Sequence, residues 1–176
     1  AVSQGKVAKT DEKTYTVNDG NNEAEVSGAK FDSCRTVAND PDIYNGKHGG
    51  GAFYSEAKSL KLNNCAIEKC TTSEKAVTQP NTQGGGICHI RHVEGEGSAT
   101  TITECKFADC SSCAAGGAIN CETENLIVQD SSFTNCKAST KQSKDGGAID
   151  LCCLDKWNGN DRKTTTTSLT VTDCTF

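Results

Sequence analysis

The sequence is short of what a thick apolar core needs. Of its 176 residues, 34% are hydrophobic and 5% aromatic, with a single tryptophan and two prolines. One domain is expected at this length, but so thin an apolar supply argues against a conventional bulky core. No apolar run approaches the ~20 residues needed to cross a bilayer. A net charge of −5 and a pI near 5.2 leave no basic footprint for nucleic acid and no polybasic patch for a membrane surface. The opening AVSQGKVAKT has no apolar h-region, which is compatible with a mature N-terminus left after cleavage. There is no N-x-S/T sequon, no P-loop, no Rossmann fingerprint and no G-x-S-x-G.

What the chain has instead is glycine and cysteine, 17 and 12 residues respectively. Both recur. Gly50-Gly51, Gly85-Gly86, Gly116-Gly117 and Gly146-Gly147 open successive segments, and Phe31…Cys34, Ile67…Cys70, Phe107…Cys110 and Phe133…Cys136 close them. A period between 20 and 50 residues signals an array or solenoid. After each glycine pair the alternation has period two. Phe53/Ser55, Cys88/Ile90, Ile119/Cys121 and Ile149/Leu151 are expected on one face; Tyr54/Glu56, His89/Arg91, Asn120/Glu122 and Asp150/Cys152 on the other. Leu60/Leu62, Thr100/Ile102, Leu126/Val128 and Leu169/Val171 repeat the pattern, and no stretch sustains helical periodicity.

Two or three short strands per repeat, with like residues at equivalent positions, stack as a parallel β-helix. Its rungs lie about 4.8 Å apart. The expected architecture is all-β, a β-solenoid of about five coils in one domain, residues 1–176. Residues 1–23 would form a first coil or cap and 24–176 the repeats. Phe31, Ile67, Phe107, Phe133 and Phe176 should form one inner column. The turn glycines Gly50, Gly51, Gly85, Gly86, Gly116, Gly117, Gly146 and Gly147 should sit where positive φ or a neighbouring rung excludes a Cβ. Rung-equivalent cysteines fall within disulfide range, so Cys34–Cys70, Cys65–Cys105 and Cys110–Cys136 are the candidate bridges, worth roughly 3–4 kcal/mol each. Cys88 and Cys121, expected to point inward, read equally as small buried hydrophobes. An even, periodic cysteine set favours an oxidising, extracellular compartment over a metal site.

Gly-Gly-Ala-Ile at Gly116–Ile119 and Gly146–Ile149, the first followed by an F-x-x motif at Phe133, resembles the repeats of polymorphic outer-membrane proteins. These are right-handed parallel β-helix surface adhesins of chlamydiae, with related repeats in secreted proteins of protists. The likeness covers residues 24–176 and implies a right-handed β-helix with a role at the cell surface. The chain departs from that family in carrying cysteine where the motif has asparagine, in FDSC, IEKC, FADC and FTNC.

Chemistry is harder to find. Glu56, Arg91 and Glu122 are expected as an outward stripe, more simply a cross-strand charge ladder than a catalytic set. Cys88, His89 and His92 suggest zinc only if adjacent residues on opposite faces could share an ion. The neighbouring stripe of Tyr54, His89, Asn120 and Asp150 is a candidate ligand-contact face. The tip of the long loop 152–167 is another, with Trp157 beside Asn158, Asp161 and Arg162. No cofactor is expected. The reading is a non-catalytic extracellular structural or adhesive protein, partnered by itself end to end or by other surface proteins and glycans. A chain that stops at Phe176 in mid-motif leaves an open rung, so copies are expected to stack end to end into a filament, or the chain is a segment of a longer repeat protein at a surface. The alternatives are a polysaccharide lyase or hydrolase, and a lectin-like module.

Overall fold

The computed structural model describes residues 15–18, 23–38, 49–74, 84–90, 97–138, 147–151, 155–158, 161–164 and 167–176. The described residues contain no helix, and the strands stack as a parallel β-helix. Each complete coil carries four strands. The long-strand sheet holds Glu23–Ser27, Ser59–Asn63, Ala99–Thr103, Asn125–Gln129 and Ser168–Thr172, parallel and in register. A second sheet stacks Lys30–Asp32, Ala66–Glu68, Lys106–Ala108 and Ser132–Thr134, with Thr175 bridging Ser132 one rung further. A third stacks Arg35–Ala38, Thr71–Glu74, Ser111–Ser112 and Lys137–Ala138. The glycine sheet, which closes each coil, stacks Phe53–Ser55, Ile87–Ile90, Ile119–Glu122 and Ile149–Leu151. Tyr15–Asn18 pairs antiparallel with Glu23–Ser27 at the first edge.

Five rungs therefore stand in the long-strand sheet, the coil number the repeats imply. The strand number per coil exceeds the two or three expected. The third sheet was hidden because RTVA, TTSE, SS and KA show no alternation. These segments are strands because the stack supplies partners. The amide of Thr71 donates to the Cys34 carbonyl (2.9 Å), Ser111 to Cys70 (3.1 Å) and Lys137 to Cys110 (2.9 Å). Backbone satisfaction, not side-chain pattern, makes this sheet.

Like sits on like inside. Phe31, Ile67, Phe107 and Phe133 occupy one register column. The rings of Phe107 and Phe133 stack with centroids 4.9 Å apart and 4° between planes, and Phe176 continues the stack from Phe133 at 5.0 Å. Such ring pairs add about 0.5–1.5 kcal/mol beyond burial. Val26, Leu62, Ile102, Val128 and Val171 form the parallel aliphatic column.

The glycine register needs one correction. Phe53, Ile87, Ile119 and Ile149 share a column, so the pair equivalent to Gly50-Gly51 in the second coil is Gly84-Gly85, not Gly85-Gly86. Positive φ confirms it, at Gly50 (+69°), Gly84 (+62°) and Gly116 (+61°). Gly86 stands instead in the column of Ala52 and Ala118, and the amide of Gly86 donates to the Ala118 carbonyl (2.9 Å). Three glycines in a row offered two alignments, and a shift of one residue exchanges the faces of a strand. The first glycine of each pair is required by φ. The second is required by space: a Cβ on Gly51, Gly85 or Gly117 would lie 2.1–2.3 Å from backbone of an adjoining strand or rung. Gly146 lies outside the described residues.

Alanine at Gly85 or Gly117 should cost about 1–3 kcal/mol or more, because the obstructing atoms are backbone and cannot rotate away. Alanine at Gly147, whose added Cβ meets nothing within 4 Å, should stay within about 0.5 kcal/mol of the parent. Urea unfolding of the three variants checks the contrast.

Candidate functional site

Two corners in each coil are built alike. Ser33, Asn64, Lys69, Glu104, Asp109, Asn135 and Asp173 have φ near +50°, and each precedes a cysteine. The left-handed residue turns the chain, and the next side chain points into the corner. There its thiol donates back two residues: Cys65 to Asn63 (3.3 Å), Cys70 to Glu68 (3.3 Å), Cys105 to Thr103 (3.2 Å) and Cys174 to Thr172 (3.2 Å). Ser131, after Asp130 (φ +49°), fills one such corner with a hydroxyl, donating to Gln129 at 2.7 Å. The sequence signal was available, as a polar residue before almost every repeat cysteine, but most αL positions go to glycine or asparagine and Lys69 and Glu104 obscured it.

Corner equivalence makes two sulfur columns. One runs Cys65, Cys105, Ser131, Cys174; the other runs Cys34, Cys70, Cys110, Cys136 without interruption. Each candidate bridge therefore joins adjacent rungs of one column. The ten described cysteines are unbridged thiols in this structure. Parallel in-register side chains keep their Cβ atoms near the rung spacing of about 4.8 Å, whereas a disulfide draws them to about 3.8 Å. Within the four-sulfur column the thiols perturb one another. Hydrogen bonding with Cys110 lowers the pKa of Cys136 to about 7 and lowers Cys70 as well. Bonding with Cys136, then Cys70, raises Cys110. Burial, with Cys70 beside it, raises Cys34 to about 11.

The corrected glycine register also relocates the candidate ligand face. Tyr54, Cys88, Asn120 and Asp150 form the outward column of the glycine sheet, and Ser55, His89, Cys121 and Leu151 the inward one. Tyr54, Asn120 and Asp150 are together as expected. His89 is not among them, and Cys88 takes its place. The Cys88 thiol donates to Asn120 Oδ1 (3.6 Å), and Asn120 Nδ2 donates to Asp150 Oδ2 (3.0 Å). Cys88, Asn120 and Asp150 are all buried, so this outward column is withdrawn from solvent. Tyr54 donates its hydroxyl to Glu56 (2.7 Å).

His89 lies inside the coil and is fully buried. One ring nitrogen, Nδ1, meets Thr100 Oγ1 at 2.7 Å, and the other, Nε2, meets the Ala57 carbonyl at 2.9 Å. With Nε2–H donating to that carbonyl, Nδ1 accepts from the Thr100 hydroxyl. Thr100 in turn contacts Cys121 Sγ (3.0 Å) and Thr123 Oγ1 (3.3 Å). Thr100 occupies the column of Leu60, Leu126 and Leu169, so one apolar rung has been exchanged for a polar one that matches the histidine. Cys88 and His89 do face opposite ways, but each on the face expected of the other. Among the described residues, no group of three or more His, Cys, Asp or Glu side chains is placed to hold a metal ion.

The expected stripe of Glu56, Arg91 and Glu122 is not a register column. Ile90 pairs with Glu122, while Arg91 and His92 lie outside the described residues. So do Cys152, Cys153 and the side chain of Trp157. Trp157 pairs with Arg162 in an antiparallel hairpin of Asp155–Asn158 and Asp161–Thr164, where a loop was expected. A charge ladder does exist on the second sheet. Glu68 bridges Lys30 (3.0 Å) and Lys106 (3.1 Å) on the rungs to either side. Hydrogen bonds from both lysines hold the Glu68 carboxyl below its ordinary range.

Compared with protein-family models, curated proteins and solved structures, the chain matches none. The likeness to polymorphic outer-membrane repeats rests on the motifs quoted above.

His89→Leu should cost about 1–3 kcal/mol, leaving the Ala57 carbonyl and Thr100 hydroxyl short of a partner. Adding Thr100→Val should recover part of that loss in a double-mutant cycle of urea unfolding. Because the folded carboxyl of Glu68 titrates low, its contribution is present above the ordinary carboxylate range and disappears as pH falls through the folded value. Between about pH 6 and pH 3, Glu68→Gln should lose less thermal stability than the parent, and high salt should narrow the gap.

Proposed function

We propose that the chain is a non-catalytic structural or adhesive β-helix of an extracellular surface, and that it associates through its last coil. The observation carrying this reading is the contrast between the two ends of the stack. In the first coil Val26 and Phe31 are each 3% exposed. In the last, Leu169 is 52% exposed, Val171 42% and Phe176 72%, although all three continue the inner columns. A clustered apolar surface beside an unpaired strand edge is a surface for association. The chemistry suited to cover it is another β-coil.

That coil comes from a second copy stacked end to end, or from the continuation of a longer surface protein. The polar outer column fits a structural role as well, since Cys88, Asn120 and Asp150 direct hydrogen bonds at one another. Cysteines stacked on adjacent rungs are consistent with an oxidising compartment.

Light scattering after size exclusion tests the assembly. The 18.5 kDa chain should run above its monomer mass at micromolar concentration, and Leu169→Lys with Val171→Lys should run as a monomer. A parent chain that stays monomeric refutes the association. Cleavage of pectin or alginate by the folded chain would replace the structural reading with a lyase or hydrolase.

A further inference from the structure

The four-sulfur column is not uniform along its length. Cys70 and Cys110 are fully buried, whereas Cys34 and Cys136, at the two ends, are only half-buried. A reagent in solution therefore meets the column at an end and not in the middle. Adjacent rungs hold the Cα atoms about 4.8 Å apart, inside the range a disulfide spans. Small adjustments at the left-handed corners, Asp109 before Cys110 and Asn135 before Cys136, would bring the Cβ atoms closer.

The two ends also differ from each other. Hydrogen bonding from Cys110 favours the thiolate of Cys136, whose pKa of about 7 leaves a large thiolate fraction at neutral pH. Cys34, at about 11, is held as the thiol, mainly by burial. We propose that Cys136 is the entry site at which a low-molecular-weight disulfide oxidises this column, and that Cys110 resolves the adduct into a Cys110–Cys136 bridge.

The chemistry balances in two exchanges. The Cys136 thiolate attacks one sulfur of the small disulfide, forming a mixed disulfide and releasing one small thiolate. The Cys110 sulfur, losing its proton, then attacks Cys136 Sγ and displaces the second small thiolate, which takes that proton. Two protein thiols are oxidised and one small disulfide is reduced to two thiols. The bridge leaves Cys70 beside Cys34 alone, so a second bridge can form only between those two. A first bridge between Cys70 and Cys110 would instead strand Cys34 and Cys136 three rungs apart. Entry at an end selects the pairing that uses all four sulfurs. This inference does not depend on how the last coil associates.

Glutathione disulfide is a suitable probe. The folded chain, reduced without denaturant, is exposed to it near neutral pH, quenched with acid, alkylated and mapped by mass spectrometry. A glutathione adduct should appear first on Cys136, roughly ten times faster than on Cys34, Cys113 or Cys174, and give way to a Cys110–Cys136 linkage. In Cys110→Ser the adduct on Cys136 should persist, and in Cys136→Ser the Cys110 thiol should stay unmodified. Equal rates at the half-buried cysteines, a first linkage between Cys70 and Cys110, or modification of Cys110 in Cys136→Ser would overturn the proposal. Should Cys110→Ser fail to fold, the order of adduct and linkage in the parent chain decides the matter.

Discussion

The structure depends on how closely the glycine sheet approaches the strands that adjoin it. At Gly51, Gly85 and Gly117 the coil closes on itself, backbone against backbone, with no volume left for a methyl group. That contact fixes the circumference of each coil and so the register of every column above and below it. The amide of Gly117 donates to Gly147 on the next rung (2.8 Å), which ties circumference and stacking together at the same residues. A core only a few side chains wide then suffices, and the low hydrophobic content becomes a consequence of geometry.

Most of this was legible in the sequence because β-helices repeat their chemistry as well as their shape. The column of Phe31, Ile67, Phe107, Phe133 and Phe176 could be written down from spacing alone, since each rung needs the same volume in the same corner. The third sheet could not. Its strands carry no alternation and form because neighbouring rungs present carbonyls to their amides, a tertiary fact that no local pattern reports. The candidate site was half legible. Tyr54, Asn120 and Asp150 fall together because in their coils an alanine, Ala52, Ala118 or Ala148, follows the glycine pair and marks its frame. His89 was misplaced because Gly86 stands where the other coils have that alanine.

The buried polar groups show how a narrow solenoid departs from a purely apolar interior. His89 and Thr100 take positions that leucine, cysteine or serine hold on other rungs, and they satisfy each other. Outside the same sheet, Cys88, Asn120 and Asp150 link three rungs through side chains as the backbone links them through amides. Buried polar chains of this kind hold a structure to one arrangement, because any displacement leaves their members unpaired.

The run Gly84, Gly85 and Gly86 gives this consequence particular weight. A folding chain that meets three glycines has a competing frame available, one residue out of step, in which His89 would turn to the outer column and Cys88 to the interior. The Thr100 hydroxyl and the Ala57 carbonyl reward only the frame that brings the imidazole inside. The histidine thus acts as a pawl on a ratchet: it lets the second coil settle by one tooth and bars the next.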